Sequence, residues 1–334
     1  MTRSLFALKP DPSSIAALGA HGLESVIADP NRVNRQMYDC RTTQSLPGLL
    51  VRHEGQDRTR DRAVDNAYDG FGITFKFFSE IFGRNSIDGN SMVLVASIHY
   101  DHDYNNASWI SARQQMVFGD GDGIQFDYLT DSLDVIAHEL THGVTEHTCK
   151  FIYETQSGAL NESISDVFAC MVEQWHINKQ TADQADWLLG QNVLPLNRKG
   201  QALRSLKNPG TAYDDSDSTE IKRKDRQVGH MNQYQNLPVT REGDWGGVHI
   251  NSGIPNHAFY LIAIRLGGYS WERAGKVWYE TMLSADPRIK PRSTFKNFAE
   301  VTVEVAAKLF DNAVRDIVRQ AWKDVGVLGQ NSLL

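Results

Sequence analysis

Two histidines and a glutamate within five residues are the strongest chemical signal in this sequence. Residues 138–142 read His-Glu-Leu-Thr-His, inside a segment, 131–143, whose apolar residues have helical spacing. His138 and His142 are one helical turn apart, so both imidazoles can reach the same cation. Glu139 points about 80° from the midline of that pair, close to a metal without being a natural ligand. The pattern is typical of a hydrolase in which a carboxylate takes a proton from water held by a metal ion.

The helix that carries these residues must also hold them in place. Its apolar side chains fall within one narrow arc away from the histidines, as a helix packed on a core requires. They are Leu133, Ile136, Ala137, Leu140 and Val144. A five-residue pattern with three fixed positions also occurs by chance, and the histidines would then simply be exposed. The rest of the chain has to decide between the two interpretations.

A third ligand is needed, because a catalytic zinc commonly has three protein ligands and one open position. Glu162, Asp166 and Glu173 lie within about 40° of one another on the predicted helix 160–176, which is otherwise apolar. Buried carboxylates need a cation or a donor. Glu162 is therefore the candidate ligand, and Asp166 the candidate acceptor for the second ring N–H of His138. If that helix stood alone, an exposed acidic face would explain the stripe equally well.

The elements around these helices predict an α+β protein with two parts. Short strands are expected at 36–38, 46–52, 92–100 and 116–118, with a helix over 65–82. After the central helix the pattern is mostly helical, at 160–176, 256–266, 270–283, 293–310 and 311–325. The metal site would lie on the floor of the cleft between an α/β part and a helical part. Residues 119–123 are expected to form a tight turn rather than a calcium loop, and residues 214–226 a solvated loop.

Composition excludes several classes of partner. The 334 residues are 41% hydrophobic, enough for a sizeable core and two domains. A net charge of −7 and a pI near 5.9 argue against nucleic acid or an anionic membrane as the main partner. No apolar stretch approaches the ~20 residues of a membrane helix. Cys40, Cys149 and Cys170 are widely spaced, so we expect buried or free thiols.

The N-terminus differs in texture from the rest of the chain. Residues 1–10 lack an apolar run long enough for a Sec signal peptide. Residues 1–34 contain one predicted helix, at 14–27, and are either a small appended segment or one that is removed later. Residues 330–334 are expected to form a short tail.

Four separated motifs together resemble the thermolysin family of metallopeptidases. They are residues 138–142, Asn-Glu-Ser-Ile-Ser-Asp at 161–166, Asn-Asn-Ala-Ser-Trp at 105–109 and Gly-Gly-Val-His-Ile-Asn-Ser-Gly at 246–253. They occur in the family's order and the resemblance covers about residues 35–329. The compact N-terminus and residues 34–39 are most similar to the short-precursor, protealysin-like branch.

The resemblance implies a two-domain fold. Residues 35–147 would form a mixed α/β catalytic domain with an antiparallel sheet, ending in the zinc-binding helix. Residues 148–329 would form an α-helical domain, with the active-site cleft between the two. Residues 1–34 would be a propeptide that the enzyme removes itself, by a cut near residues 34–38.

The resemblance also implies roles for single residues. One zinc ion would be held by His138, His142 and Glu162, with Glu139 as general base. Asp166 and Asn161 would be hydrogen-bond partners of the two histidines. His249 would stabilise the tetrahedral oxyanion, assisted by Tyr153 and oriented by Asp244. The remaining expected substrate contacts are Asn106 and Ala107 to the substrate backbone, Arg204 to a substrate carbonyl, and a pocket wall made by Phe126, Leu129, Val135 and Leu203.

That pocket implies cleavage before bulky hydrophobic residues.

Calcium binding is expected to differ from that of typical relatives. Asp134, Glu173 and Asp186 match acidic positions of the family's calcium cluster, but Leu188 and Gln191 occupy two others. Because calcium prefers six to eight hard oxygen ligands, we expect at most one weakly held calcium ion.

The function predicted from the sequence is thus a zinc endopeptidase acting on polypeptides, as a monomer without nucleic acid or membrane partners. A catalytically silent peptide-binding module is disfavoured because every catalytic position is present. The alternative that the protein hydrolyses a non-peptide amide is disfavoured by Asn106 and Arg204, which are expected to bind a peptide backbone. Relatives are mostly secreted, yet no Sec signal is visible, so non-classical export and cytoplasmic residence both stay open.

Overall fold

A computed structural model describes residues 32–195, 201–216 and 223–329 of the protein. The predicted helix at 14–27 and the tail 330–334 lie outside the described residues, as do residues 217–222 of the polar loop. None of the helices in the described part of the chain is both long and apolar enough to cross a membrane.

The first half of the described chain forms a five-stranded sheet. The strands are β1 (Arg35–Thr43), β2 (Leu49–His53), β3 (Leu94–Tyr100), β4 (Ala107–Ile110) and β5 (Gln115–Phe118). Their order is β2-β1-β3-β5-β4, so β4 lies at an edge. The four predicted strands are confirmed with shifted ends. β4 was not predicted, because four residues are too few to show an alternating pattern.

The sheet is mixed, and the expectation of an antiparallel sheet was wrong. β1 pairs with β3, and β3 with β5, in parallel, whereas only the two outer pairs, β1–β2 and β4–β5, are antiparallel. The helix α1 (Arg62–Phe82) lies between β2 and β3 in the chain and supplies the long crossover that a parallel pair needs. The β4–β5 hairpin then lays its second strand beside β3.

Helix α1 joins the sheet to the helix that carries the two histidines, α2 (Leu133–Glu146). Asp61 caps the start of α1, since its side chain accepts hydrogen bonds from the backbone N–H of Ala63 and Val64. The two helices approach closely at Gly70, where an added Cβ would lie 2.6 Å from Cδ1 of Ile136. A glycine at this position therefore lets α2 sit deep against α1.

The second half of the described chain is mostly helical, as predicted. The helices are α3 (Thr155–His176), α4 (Asp244–Asn251), α5 (Gly253–Leu266), α6 (Ala274–Met282), α7 (Phe295–Leu309) and α8 (Asn312–Asp324). Two short strands, β6 (Leu188–Leu189) and β7 (Arg204–Ser205), pair antiparallel. Helix α3 begins at Thr155 rather than at 160, and α4, β6 and β7 were not predicted.

Aromatic side chains fill the core of both halves and meet at α3. Phe168 of α3 stacks on Phe78 of α1, with ring centroids 5.3 Å apart. In the helical half, Trp278 and Trp322 stack at 5.8 Å and are fully buried. The three cysteines are buried and free, which confirms their predicted state.

A partly buried ion cluster holds one corner of the sheet. The ring of His99, at the end of β3, lies 3.0 Å from Asp61, the cap of α1, and 2.8 Å from Asp120. The ring of Tyr128 contacts it edge-on. The hydrogen bond to Asp120 is the largest cause that raises the pKa of His99 to about 9, although burial works against it. A charged imidazolium therefore links the strand, the helix cap and the 119–123 turn at neutral pH.

Replacing this imidazole should cost stability in a pH-dependent way. The pKa of His99 is higher in the folded state, about 9 against an ordinary value of 6.5. Its contribution is therefore complete below about pH 6.5 and disappears as the pH rises through 9. His99→Gln should lose about 1–2 kcal/mol of unfolding free energy at pH 6 after allowing for solvent screening, and much less at pH 9.5. Urea unfolding at both pH values measures this, with the exposed His176→Gln as control, and an equal loss at both pH values would contradict it.

Candidate active site

The two helical histidines and the glutamate of the next helix converge on one point. The Nε2 atoms of His138 and His142 lie 3.1 Å apart. Carboxylate oxygens of Glu162 lie 3.6 Å from Nε2 of His138 and 3.4 Å from Nε2 of His142. One possible ligand atom from each of the three residues falls within a 4.8 Å span. The structure thus brings together the three residues that the sequence singled out.

The chemistry of these three side chains fits zinc. Burial lowers the pKa values of His138 and His142 to about 4, so both imidazoles are neutral at pH 7 and keep a lone pair for a metal. Glu162 is fully buried, and its Oε2 accepts no hydrogen bond from the described residues. A buried carboxylate oxygen without a donor is costly unless a cation compensates it. Two nitrogens and a carboxylate are also a common ligand set of catalytic zinc.

Two further residues fix the orientation of the imidazoles. Nδ1 of His138 lies 2.9 Å from Oδ1 of Asp166, and Nδ1 of His142 lies 2.7 Å from Oδ1 of Asn161. Because each Nδ1 faces an acceptor, the proton of each neutral ring sits there and Nε2 is left for the metal. Asp166 and Asn161 thus lie where the sequence placed them.

Arg204 of β7 forms an ion pair with the carboxylate of Asp166. Its Nη2 lies 2.7 Å and its Nε 3.0 Å from Oδ1 of Asp166, and Nη2 lies 4.0 Å from Glu162. Burial alone would raise the pKa of Asp166, but Arg204 and His138 outweigh burial and hold it well below its usual value. Asp166 is therefore an anion, as an orienting partner of His138 must be. The expected contact of Arg204 with a substrate carbonyl would come in addition to this ion pair.

Glu139 is buried beside these three possible ligands without belonging to their group. Its Oε2 accepts a hydrogen bond of 3.1 Å from the backbone N–H of Trp109 in β4. Burial, and next the negative charge of Glu162, raise its pKa well above the usual value. The indole N–H of Trp109 donates to Glu146 at 2.7 Å, so the strand that holds Glu139 is itself tied to the end of α2. No pattern in the sequence indicates this support, because it depends on a contact between β4 and α2.

Tyr153 and His249 provide two hydrogen-bond donors next to Glu162. The hydroxyl of Tyr153 donates to Oε1 of Glu162 and lies 3.0 Å from Nε2 of His249. Nδ1 of His249 lies 2.5 Å from Oδ1 of Asp244. Burial alone would lower the pKa of His249, but the charges of Glu162 and Asp244 outweigh it and raise the pKa. Burial and Glu162 also raise the pKa of Tyr153 far above its usual value, so its phenol stays protonated.

A left-handed turn at the start of α4 makes the pairing of Asp244 with His249 possible. Gly246 and Gly247 have φ values of 92° and 77°, which side chains with a Cβ rarely adopt. The turn brings the Asp244 carboxylate back to the backbone N–H of His249, at 2.9 Å, as well as to its ring. The two glycines begin the 246–253 motif, and this turn is the physical reason for them.

A cleft of about 490 Å³ opens along the edge strand β4. Ala107 and Trp109 of β4 and His142 and Tyr153 of the site line it. Because β5 covers only one edge of β4, the other edge can accept an extended peptide as an added strand. Asn106, next to this edge, is 3% exposed, and its Oδ1 has no donor among the described residues.

The pocket expected for a bulky hydrophobic residue is small in this structure. A cavity of about 10 Å³, room for about one water molecule, lies between Val135, Leu203 and Leu189 beside His138. Phe126 and Leu129 are buried and do not line it. Two of the four predicted wall residues thus flank this cavity.

The acidic residues expected to bind calcium lie near one another but are engaged otherwise. Burial, then the charges of Asp134 and Asp186, raise the pKa of Glu173 to about 9, so it is neutral at pH 7. The backbone N–H of Gly190 donates to Asp134 at 2.6 Å, and the amide of Gln191 donates to Asp186 at 2.7 Å. Within the described residues, no second group of three ligands converges as the histidine site does.

This fold and site are typical of a two-part metal-dependent hydrolase with possible metal ligands on adjacent helices. The family model described as thermolysin metallopeptidase, catalytic domain, matches residues 19–146, and the model of its alpha-helical domain matches residues 149–327. The chain belongs to the thermolysin family of metallopeptidases. It is a zinc-dependent metalloendopeptidase that acts on polypeptides.

Individual relatives agree with this assignment. An extracellular metalloprotease of Pectobacterium carotovorum is 53% identical over 89% of this chain and 82% of its own length. Protease PrtS of a Photorhabdus strain is 49% identical over 91% and 78%. The solved precursor of protealysin, a metalloproteinase from Serratia proteamaculans, is 48% identical with a TM-score of 0.84, over 90% of this chain and 89% of that one. The resemblance to the protealysin-like branch is thereby confirmed.

Added calcium should stabilise this protein only slightly. With Asp134 and Asp186 already hydrogen-bonded, and Leu188 and Gln191 at two acidic positions of the family's cluster, any calcium site is weak. A ligand near its dissociation constant adds only about 0.4 kcal/mol. Thermal unfolding of the zinc-saturated protein with and without about 5 mM calcium chloride should differ by less than ~3 °C. Magnesium chloride at the same ionic strength is the control, and a larger rise specific to calcium would contradict the expectation.

Proposed function

We propose that His138, His142 and Glu162 hold the catalytic zinc and that Glu139 is the general base. The observation that carries this proposal is the convergence of three possible ligands, the buried His138 and Glu162 and the partly exposed His142, beside the buried carboxylate of Glu139, which is not one of them. Bound zinc would supply Lewis acidity, which acidifies water and polarises a carbonyl. The protein's own groups do the positioning and the proton transfers.

In this proposal a substrate peptide lies along the free edge of β4. Ala107 pairs with its backbone and the amide of Asn106 donates or accepts there. Glu139 takes a proton from the attacking water and delivers it to the leaving nitrogen, since its raised pKa suits a group that must both accept and release a proton. The Trp109 N–H keeps the carboxylate aimed while this happens.

Tyr153 and His249 would stabilise the negative charge that develops on the former carbonyl oxygen. Tyr153 remains a neutral donor, and the raised pKa of His249 favours the protonated, donating ring. Asp244 holds that ring in place through Nδ1. A donor in such a position is typically worth about 3 kcal/mol to the transition state. Arg204 would contact a substrate carbonyl from its place beside Asp166.

The residue after the scissile bond would enter the pocket between Val135 and Leu203. Its apolar walls favour a hydrophobic side chain. Phe126 and Leu129, also expected in this wall, are buried but do not line the cavity. The cavity of about 10 Å³ must widen to admit Leu or Phe, and Leu203 is one of the side chains that line it. Leu203 packs over Gly190, where an added Cβ would lie 2.3 Å from its Cδ1.

We further propose that residues 1–34 are a propeptide, followed by a catalytic domain to 147, a helical domain to 329 and a short tail. β1 begins at Arg35 within the sheet, and the carbonyl of Asn34 accepts a hydrogen bond from Leu94 at 2.8 Å. A cut inside 35–38 would break strand pairing, which favours a cut before Arg35. Likeness to extracellular relatives supports secretion. The acidic charge supports a monomer without nucleic acid or membrane partners.

Replacing the base without changing its size should separate catalysis from metal binding. Glu139→Gln should lower kcat/KM for a peptide substrate by at least about 10³-fold, because the amide cannot accept the water's proton. Zinc content, measured by elemental mass spectrometry, should stay at one per chain. The N-terminal segment should also remain uncleaved in this variant. The exposed Glu280→Gln is the matched control, and an active Glu139→Gln protein would refute the assignment.

Enlarging the pocket should change which residue is preferred after the scissile bond. Leu203→Ala removes most of one wall, so the ratio of kcat/KM for Phe over Leu at that position should rise by about fivefold. Paired peptides that differ only there provide the measurement. Leu206→Ala, which deletes an equally large buried side chain that does not line the cavity, should leave the ratio unchanged. An unchanged ratio in Leu203→Ala would place the pocket elsewhere.

A further inference from the structure

One buried amide touches the metal site from a helix that the proposed mechanism does not use. Asn256 lies in the first turns of α5 and is 0% exposed. Its Nδ2 donates to Oδ2 of Asp166 at 2.8 Å. Neither its spacing nor any chemical motif in the sequence indicated this contact, because it joins side chains 90 positions apart.

Asn256 contacts the carboxylate oxygen that the other partners leave alone. Oδ1 of Asp166 faces Nδ1 of His138 at 2.9 Å and the guanidinium of Arg204 at 2.7 and 3.0 Å. Oδ2 is held by Asn256. With donors on both oxygens, the carboxylate cannot rotate about its Cβ–Cγ bond without losing one of them. Its Oδ1 therefore stays aimed at the imidazole.

The side-chain carbonyl of Asn256 destabilises the fold. Its Oδ1 is buried and has no donor among the described residues. An unsatisfied buried acceptor destabilises a fold, and leucine, of similar shape, would not carry one. The N–H group is the part of the side chain that has a partner, and that partner is Asp166. The arrangement indicates that the donor, rather than the volume, is what this position requires.

The backbone around Asn256 is held rigidly. Its N–H donates to the carbonyl of Ser252 at 3.0 Å, and the Ser252 hydroxyl accepts a hydrogen bond of 3.0 Å from Gln227. Ser252 also donates to the carbonyl of His249 at 2.9 Å. The donor that holds Asp166 thus sits on the same rigid segment as the proposed oxyanion donor.

We propose that Asn256 is a positioning residue that fixes Asp166 and, through it, the ring of His138 for zinc. This inference rests on the proposed metal site. Residues that orient a metal-bound histidine indirectly typically change metal affinity by 10–100-fold when they are lost. Asn256 acts one contact further out than Asp166, so we expect the lower end of that range.

The test measures zinc affinity rather than proteolysis. All proteins carry Glu139→Gln, so that none digests itself. Asn256→Leu removes the donor and keeps the volume. Gln174→Leu is the matched control, since it deletes another buried amide, on α3, whose partner is Ser270 at 2.6 Å and not the metal site. Zinc dissociation constants are measured by competition with a chromogenic chelator, and melting temperatures are measured without zinc.

Asn256→Leu should raise the zinc dissociation constant by about tenfold, whereas Gln174→Leu should change it by less than about twofold. Both variants lower the melting temperature of the zinc-free protein, because each leaves a buried partner, Asp166 or Ser270, without its hydrogen bond to the deleted amide. A purely structural role for Asn256 predicts the same loss of melting temperature with zinc affinity unchanged, and that result would overturn the proposal.

If Asn256→Leu does not fold, Asn256→Met is measured in its place, because its unbranched chain adapts more easily and also lacks the donor. The same tenfold and twofold limits apply. A Glu139→Gln protein that binds no zinc would overturn the metal site itself, together with this inference. If zinc binds but its dissociation constant does not change when Asn256 is replaced, only this inference is overturned.

Discussion

The structure depends on the compensation of negative charge among carboxylates that are buried at the side of the cleft. Glu139, Glu162 and Asp166 are all buried around one point, and Arg204 is the cation beside them. The two ligand histidines add no charge, because burial keeps them neutral. A divalent cation bound to Glu162 would relieve the repulsion between its carboxylate and that of Glu139, which contributes to the raised pKa of Glu139. An uncompensated buried charge costs several kcal/mol, so this balance constrains every element around it.

The helices α2 and α3 meet that constraint through close packing. Gly70 lets α2 pack closely against α1, and the stacked rings of Phe78 and Phe168 hold α3 against α1 as well. The ligands on α2 and α3 then cannot separate without opening the aromatic core. The metal site is in this sense a product of the packing, which holds the carboxylates of Glu139 and Glu162 close together despite their repulsion.

Regular periodicity explains what the sequence could predict. His138, His142 and Glu139 share one helix, and Glu162 and Asp166 another, so spacing alone fixes their relative directions. Asn256 and Trp109 act through contacts between distant elements, for which one sequence holds no signal. The turn at Gly246 was missed as structure because left-handed residues follow no helical period. The mixed sheet was missed because strand direction depends on how the α1 crossover folds back.

The size of the pocket beside His138 shows the same limit at the level of side chains. The resemblance implied that Val135 lies in this wall, but the volume beside it also depends on Leu203, which precedes β7 and packs over Gly190, a residue with positive φ. Specificity therefore rests on a loop-borne leucine, while the chemistry rests on helix-borne ligands. Since loops change more readily than packed helices, substrate preference can vary here without disturbing the metal site. The edge strand β4 serves both purposes. It lines the cleft for the substrate, and the backbone N–H of Trp109 also donates to Glu139, the proposed general base.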